Sequence, residues 1–365
     1  MRFREIAMMA FAAVALVLVQ AGAALAQPAD LWTVTNVAVD ATGNSPSAAK
    51  DAALSQGRQK AWAEVFRRIT PAGEKPPPLT DQELEPMVKS FDISGEKHSS
   101  TRYLATVTYV FSPTAVRSAL RKTGTQFSES TAKPVLVVAL NGTAWQPESA
   151  WGRAWAAQSR RGRLVPVAVP VGDVQDVAAL AAVSSAADWG TMKPLADRYG
   201  ASSVLVASAG RGSGGLQINM TQIRPDGRSQ RSGSYAPQAS EDETALATRA
   251  AGAIADSLQE DWKRTTSVDY GQQSTISATV AFTSLSEWVS IRRKLEQTKL
   301  IQLLAVEEVN MTSARMRLDY VGKVDQLQTA LSQTNLFLTP DSQGNWMLSR
   351  NAGATTAAGP GSVVP

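Results

Sequence analysis

The pattern of apolar and polar positions changes character along the chain, and each change marks a unit. Leu31 to Val39 is rich in Val and Thr and predicts a strand. Asn44 or Ser45 then caps a helix that has Pro46 in its first turn. Leu54, Ala61, Trp62, Val65, Phe66 and Ile69 recur at helical spacing and give that helix one apolar stripe, which Pro71 ends. Pro76-Pro77-Pro78 is a stiff connector. A short acidic helix around Leu84, Met87 and Val88 leads to strands at Phe91–Glu96 and Tyr103–Phe111. The second strand alternates Tyr103, Ala105, Val107, Tyr109 and Phe111 on one face, the mark of a half-buried antiparallel strand. Val116 and Leu120 mark a closing helix, so residues 30–123 predict a small α+β domain.

Gly124 to Lys133 is polar and predicts a linker. Over residues 134–264 the strands become brief and continuously apolar, at Val135–Leu140, Leu164–Val169 and Ser203–Ser208. Helical segments separate them, including Trp151-Ala154-Trp155 and Trp189-Met192-Leu195-Tyr199, with Gly200 fitting the helix end. Strands buried on both faces and alternating with helices predict a parallel βαβ sheet. A hairpin is added, with Leu216, Ile218 and Met220 on one face and Pro225-Asp226-Gly227 at its turn. Ser240-x-x-Glu243 reads as the capping box of a long helix striped by Leu246, Ala250, Ile254, Leu258 and Trp262.

Thr265 to Ser274 predicts a second linker, and residues 275–349 read as β-α-β-β-α-β. Ile276, Ala278, Val280 and Phe282 alternate; Ser284-x-x-Glu287 caps a helix whose core face is Leu285, Trp288, Ile291 and Leu295. Leu300–Val306 and Met316-Leu318-Tyr320 predict strands, Val324, Leu327 and Leu331 a helix, and Leu336, Leu338, Trp346 and Leu348 the end of the sheet. That order is the split βαβ arrangement of a ferredoxin-like sandwich. Residues 351–365, of Gly, Ala, Thr and Pro, predict a disordered tail. The fold class expected is thus multidomain, α/β and α+β.

The first 26 residues read as an address. Arg2 and Arg4 precede an apolar run from Ile6 to Val19, and Ala24-Leu25-Ala26 is a small-x-small site, predicting a secretory signal cleaved between Ala26 and Gln27. No later apolar run is long enough to span a bilayer. The expected location is the periplasm of a Gram-negative cell. Removing this segment, with two arginines and one glutamate, lowers the formal charge of +4 to +3. So small an excess, without a dense basic stripe, argues against nucleic acid as a partner. The 365-residue chain has no cysteine and one histidine, His98. Disulfides, thiolate nucleophiles and Cys- or His-cluster metal sites are thereby excluded.

Two stretches of the first unit, AALSQGRQKAWAEVFRRIT (Ala52–Thr70) and YLATVTYVFSPTAVRSALRKTG (Tyr103–Gly124), with KPVLVVALNG at 133–142, resemble a family of exported proteobacterial proteins defined by a domain of unknown function. The first two units are also similar, more distantly, to the flagellar T-ring component, to the amino-terminal domain of TolB-type translocation proteins and to lipoprotein activators of penicillin-binding proteins. Those resemblances imply docking onto envelope machinery. Relatives in the family are sometimes labelled heavy-metal-associated. Soft-metal capture of that kind uses two thiolates, and this chain has none.

Candidate chemistry is sparse. Gly210-Arg211-Gly212-Ser213-Gly214-Gly215 satisfies G-x-G-x-x-G, but a strand pattern follows where a dinucleotide loop needs a helix start, which favours a hairpin loop. His98 sits in a polar hairpin tip. No serine has a G-x-S-x-G elbow. Paired carboxylates for glycosidic acid–base work exist at Asp173 with Asp176, at Glu307 with Glu308 and in Glu241-Asp242-Glu243. Helix capping and opposite strand faces are the competing explanations. Arg160, Arg161 and Arg163 form the densest basic run, a candidate contact for an anionic partner or simply solvated loop charge. Arg292, Arg293 and Lys294 read as an ordinary helix surface. Trp151 and Trp155 read as core rather than a sugar platform.

The expectation is a non-enzymatic periplasmic adaptor that docks on envelope proteins, without cofactor or metal. The alternative is a glycan or small-molecule module. Its pocket would lie at the carboxyl edge of the parallel sheet, lined from the loops after Leu140 and Ser208. A peptidoglycan hydrolase is the third reading.

Overall fold

The computed structural model describes residues 31–159, 162–181 and 187–350. The predicted signal peptide with its cleavage point, the predicted tail, and Arg160 and Arg161 lie outside the described residues. Among the described residues, no helix is long and apolar enough to cross a membrane.

The first unit contains β1 (Thr33–Thr42), α1 (Pro46–Ile69), α2 (Asp81–Leu84) with a 3-10 turn at Glu85–Met87, β2 (Val88–His98), β3 (Arg102–Phe111) and α3 (Pro113–Lys122). Its antiparallel sheet has the order β1-β3-β2. Ser45 is the cap of α1, its Oγ accepting from the Ala48 N–H at 3.2 Å, with Pro46 next. The stripe predicted for α1 packs Trp62, Val65, Phe66 and Ile69 against Tyr103, Val107, Tyr109 and Phe111 of β3 in one core.

The second unit contains β4 (Val135–Asn141), β5 (Ala144–Trp145), α4 (Ala150–Gln158), β6 (Val167–Ala168), α5 (Val174–Ala181), α6 (Trp189–Arg198), β7 (Ser203–Gly212), β8 (Gly215–Arg224), β9 (Gly227–Tyr235) and α7 (Glu243–Thr266). Its sheet runs β5-β4-β7-β8-β9, with β6 also on β4. Only β6, β4 and β7 are mutually parallel, so the predicted parallel sheet is a mixed one. Helices α4 and α7 cover one face and α5 and α6 part of the other. The strand predicted at 164–169 shrinks to two residues. Pro166 and Pro170 flank it without donors, and Val165 exchanges both its backbone bonds with the Gln259 side chain instead of a strand. The cap of α7 is Asp242, accepting from the Ala245 N–H at 2.7 Å, rather than Ser240, which takes the left-handed conformation at φ 64°.

The third unit contains β10 (Gln273–Ala281), α8 (Leu285–Gln297), β11 (Ile301–Val309), β12 (Ser313–Val321), α9 (Val324–Ser332), β13 (Phe337–Pro340) and β14 (Trp346–Ser349). The sheet order is β11-β12-β10-β14-β13. The expected last strand is a hairpin. Asp341 accepts from the N–H groups of Gln343 and Asn345 and turns the chain, so that β14 lies parallel beside β10. Trp288, Ile291 and Leu295 of α8 and Leu327 and Leu331 of α9 close one face.

The two predicted linkers are packed, not free. Phe127 and Val268 form an isolated antiparallel bridge, and the Phe127 and Tyr270 rings stack at 4.4 Å. The Arg121 guanidinium lies 4.5 Å over Tyr270, and Ser128 and Thr266 share a buried 2.6 Å hydrogen bond. All three units meet here. Ser128 N–H donates to Ile69 O in the first, Trp262 Nε1 to Ser130 O, and Gln326 Nε2 of the third to Ser267 O.

Candidate functional site

Two concavities are walled by polar side chains. The first lies between the first and second units and encloses about 590 Å³. One wall is β1 at Thr33–Asn36, a second is the polar flank of α1, and a third combines α7 with Gly162 and Arg163. Each of its charges has a partner within the chain. Glu64 accepts from both Arg67 and Arg68 at 3.0 Å, while Arg68 Nη1 also donates to the Leu31 and Thr33 carbonyls. Lys263, only 2% exposed, spends its three protons on Arg67 O (2.8 Å), Thr70 O (2.7 Å) and Glu260 (2.5 Å). Glu260 in turn accepts from Ala72 N–H at 2.8 Å.

Arg163, expected in a solvated loop, instead turns inward. Its Nη1 meets Asp256 at 2.5 Å and its Nη2 donates to Gln158 Oε1 at 3.0 Å. The other wall residues went unnoticed in the sequence because Glu64, Arg67 and Arg68 look like any charged helix flank. Only the three- and four-residue spacing of Glu64 from the two arginines signals pairing.

The second concavity, of about 730 Å³, sits on the second sheet beyond α5 and α6. Two rows of directly opposed residues form its floor. One is Leu140, Ser208, Asn219 and Ser232; the other is Val206, Thr221 and Gln230. Gly142 and Thr143 form the rim, and Ser208 Oγ donates to the Gly142 carbonyl. This is the carboxyl end of β4 and β7, where the loops after Leu140 and Ser208 are expected to line a pocket.

The remaining candidates fall away from both. Asp173 caps the start of α5, accepting from Gln175 and Asp176 N–H, and is bound by Arg198, which holds its carboxyl down at about 2. Buried Asp176 accepts from Gly172 N–H, from Arg198 Nη1 and, at 2.6 Å, from the Tyr199 hydroxyl. Burial, helped by that bond, pushes Tyr199 up to about 12. The two carboxylates therefore form a capped ion cluster, in which Asp173 has no proton to give near neutral pH. Glu241 accepts from Arg249 and from Gln238 N–H and is likewise held at about 2; Asp242 is the helix cap, and Glu243 pairs with Arg211 on the surface. Glu307 and Glu308 are exposed on β11, Glu307 at a break of register.

His98 is exposed beside the β2–β3 turn. The glycine-rich run is the turn between β7 and β8, so a strand and not a helix start follows it. Trp151 and Trp155 are buried edge-to-face at 5.7 Å, with Trp151 Nε1 donating to Ala207 O. Arg292 pairs with Glu296, and Lys294 donates to Thr334 O. Among the described residues, no group of three or more His, Asp or Glu side chains is set to hold a metal ion. No family model matches the chain, and no curated protein matches it.

Proposed function

We propose that the protein is a non-enzymatic adaptor of the cell envelope, exported to the periplasm and docking on envelope proteins through the outer edge of its third unit. The observation that carries this reading is β11. It is an outermost strand, so its far side offers unpaired N–H and C=O groups, the template for strand addition. Leu303, Val306 and Val309 are exposed along it, and Met311, just past its end, is 93% exposed. The run Leu303–Val306 lies between two breaks of register and is itself regular. Exposed apolar side chains on an open edge are what soluble proteins suppress unless a partner covers them. The ferredoxin-like reading of this unit, with a terminal hairpin added, belongs to the same proposal, since an open-edged sheet backed by two helices suits such docking.

A photo-crosslinking side chain placed at Leu303 or Met311 in cells is expected to trap a discrete envelope protein, and one at Ser99 in the β2–β3 turn is not. Equal adducts from all three positions, or none, defeat the proposal. The 730 Å³ concavity favours a second reading, a module for an uncharged polyhydroxylated ligand. Its floor offers two amides and several hydroxyls, each both donor and acceptor, and no carboxylate. Calorimetric titration with a chitin trisaccharide tests it. Binding that Asn219→Ala and Gln230→Ala weaken supports it, and no heat from the trisaccharide rejects it.

A further inference from the structure

The cleft between the first and second units contains a donor that the fold leaves without an acceptor. The Arg163 side chain is 9% exposed, and while its two terminal nitrogens reach Asp256 and Gln158, its Nε–H is buried with no partner. Buried donors are almost always satisfied, so an orphan just beneath the surface of a cavity-lining side chain marks a place for an acceptor from outside.

Charge points the same way. Arg67, Arg68, Arg163 and Lys263 face Glu64, Asp256 and Glu260, because Glu64 serves two arginines. The lining thus carries one positive charge in excess, and Arg67, 60% exposed at the rim, commits Nε and Nη2 to Glu64 and keeps Nη1 for a ligand. One carboxylate balances that excess; a dianionic phosphate overshoots it. The facing wall is β1, an outermost strand whose register breaks between Val34 and Val37. Thr35 and Asn36 have no opposing residue on β3, and Asn36 adopts the left-handed conformation at φ 59°. Arg68 takes the Leu31 and Thr33 carbonyls, so the main-chain groups that a peptide can use here, and a free anion cannot, are those at Thr35 and Asn36.

We propose that this cleft binds a carboxylate-bearing peptide segment, with Arg163 Nε and Arg67 Nη1 taking the carboxylate and the outer edge of β1 at Thr35 and Asn36 lying along the segment's backbone. The cavity volume falls within the roughly 300–1,000 Å³ usual for small ligands, enough for a few residues. The site is distinct from β11 and does not depend on what docks there.

Calorimetric titration of the full chain at low salt tests it, with the end-capped peptide Ala-Ala-Glu-Ala, its glutamine counterpart and sodium acetate as probes. The glutamate peptide is expected to bind, the glutamine peptide to bind about fivefold more weakly or not at all, and acetate more weakly still. Arg67→Gln, at an exposed position that leaves the core untouched, is expected to weaken the glutamate peptide by about two- to fivefold. Arg163→Lys keeps the charge, loses the Nε donor and is expected to weaken it too. Asp256→Asn removes the competing carboxylate and is expected to tighten binding by about two- to fivefold, a direction that mere damage to the fold does not give. Equal binding of the two peptides, acetate as tight as the glutamate peptide, or no tightening in Asp256→Asn overturns the proposal.

Discussion

Replacing Lys263 by Met tests how the first unit is fastened to the second. The last carbonyls of α1 have no helical partners of their own, as at any helix end. Here residues from elsewhere supply them. Lys263 of α7 donates to Arg67 O at 2.8 Å and Thr70 O at 2.7 Å, and Ser128 N–H donates to Ile69 O at 2.8 Å. A cation there also complements the negative end of the helix dipole. Methionine keeps the apolar stem and removes the ammonium, leaving two buried carbonyls unpaired and Glu260 without its counter-ion. Each charge-assisted bond is worth about 1.5–3 kcal/mol. The ammonium's own desolvation is recovered, and Glu260 retains the Ala72 N–H and some access to water. A net loss of about 3–5 kcal/mol results, in line with breaking a buried ion pair. In thermal unfolding this lowers the midpoint by roughly 6–20 °C, and hydrogen exchange at the Thr70 amide rises as the last turn of α1 frays. A loss below about 1 kcal/mol would falsify the assignment of Lys263 as the cap of α1.

Three further outcomes follow from particular contacts. Gly57→Ala, though it favours helix by about 1 kcal/mol, is expected to lower the melting temperature, because the new Cβ overlaps the Tyr109 hydroxyl; Tyr109→Phe in the same chain should restore part of the loss. Burial pushes Tyr109 up to about 12 from its ordinary 10, so the folded state favours the neutral phenol. Its contribution is complete below pH 10 and disappears as pH rises through about 12, a loss that Tyr109→Phe should remove from the alkaline unfolding curve. Arg198→Gln strips the buried Asp176 carboxylate of its cation and should cost about 3 kcal/mol or more in urea unfolding, with Asp176→Asn recovering part of it.

Periodic elements were legible because their burial is periodic. The stripe of α1 and the alternation of β3 each commit a run of residues to one face, and those residues form the first core. What periodicity misses is the isolated anchor. Phe127 stands alone in a polar stretch and Tyr270 has only Val268 near it, so both segments read as linkers, yet the stacked rings close the junction of the three units. The strand expected around Val165 failed for a related reason, since its partner is a side chain, Gln259, from 94 residues further along the chain. In the candidate clefts the same limit applies. The carboxyl end of β4 and β7 follows from strand order and was anticipated, whereas the charged cleft depends on α1, α7 and the Arg163 segment meeting in space. Arg163 alone was singled out there, and as an exposed group.

Helix α7 links these observations. It is about 36 Å long, and its first turns bury Leu246, Ala250 and Ile254 on the second sheet. Its last turns hold Val165 through Gln259, Ser130 through Trp262, α1 through Lys263 and Ser128 through Thr266. The side chains that fasten the first unit therefore share one helix with those that line the cleft, Asp256 and Glu260 among them, and Lys263 does both. An occupant of the cleft touches both units and is bound only when they are in place, so its binding free energy adds to their association. By reciprocity, whatever loosens the association weakens the occupant by the same factor. Lys263→Met removes no donor from the occupant but cancels the charge excess of the lining, and should reduce affinity for the glutamate peptide by both routes. If affinity is unchanged while α1 frays, the cleft belongs to one unit alone.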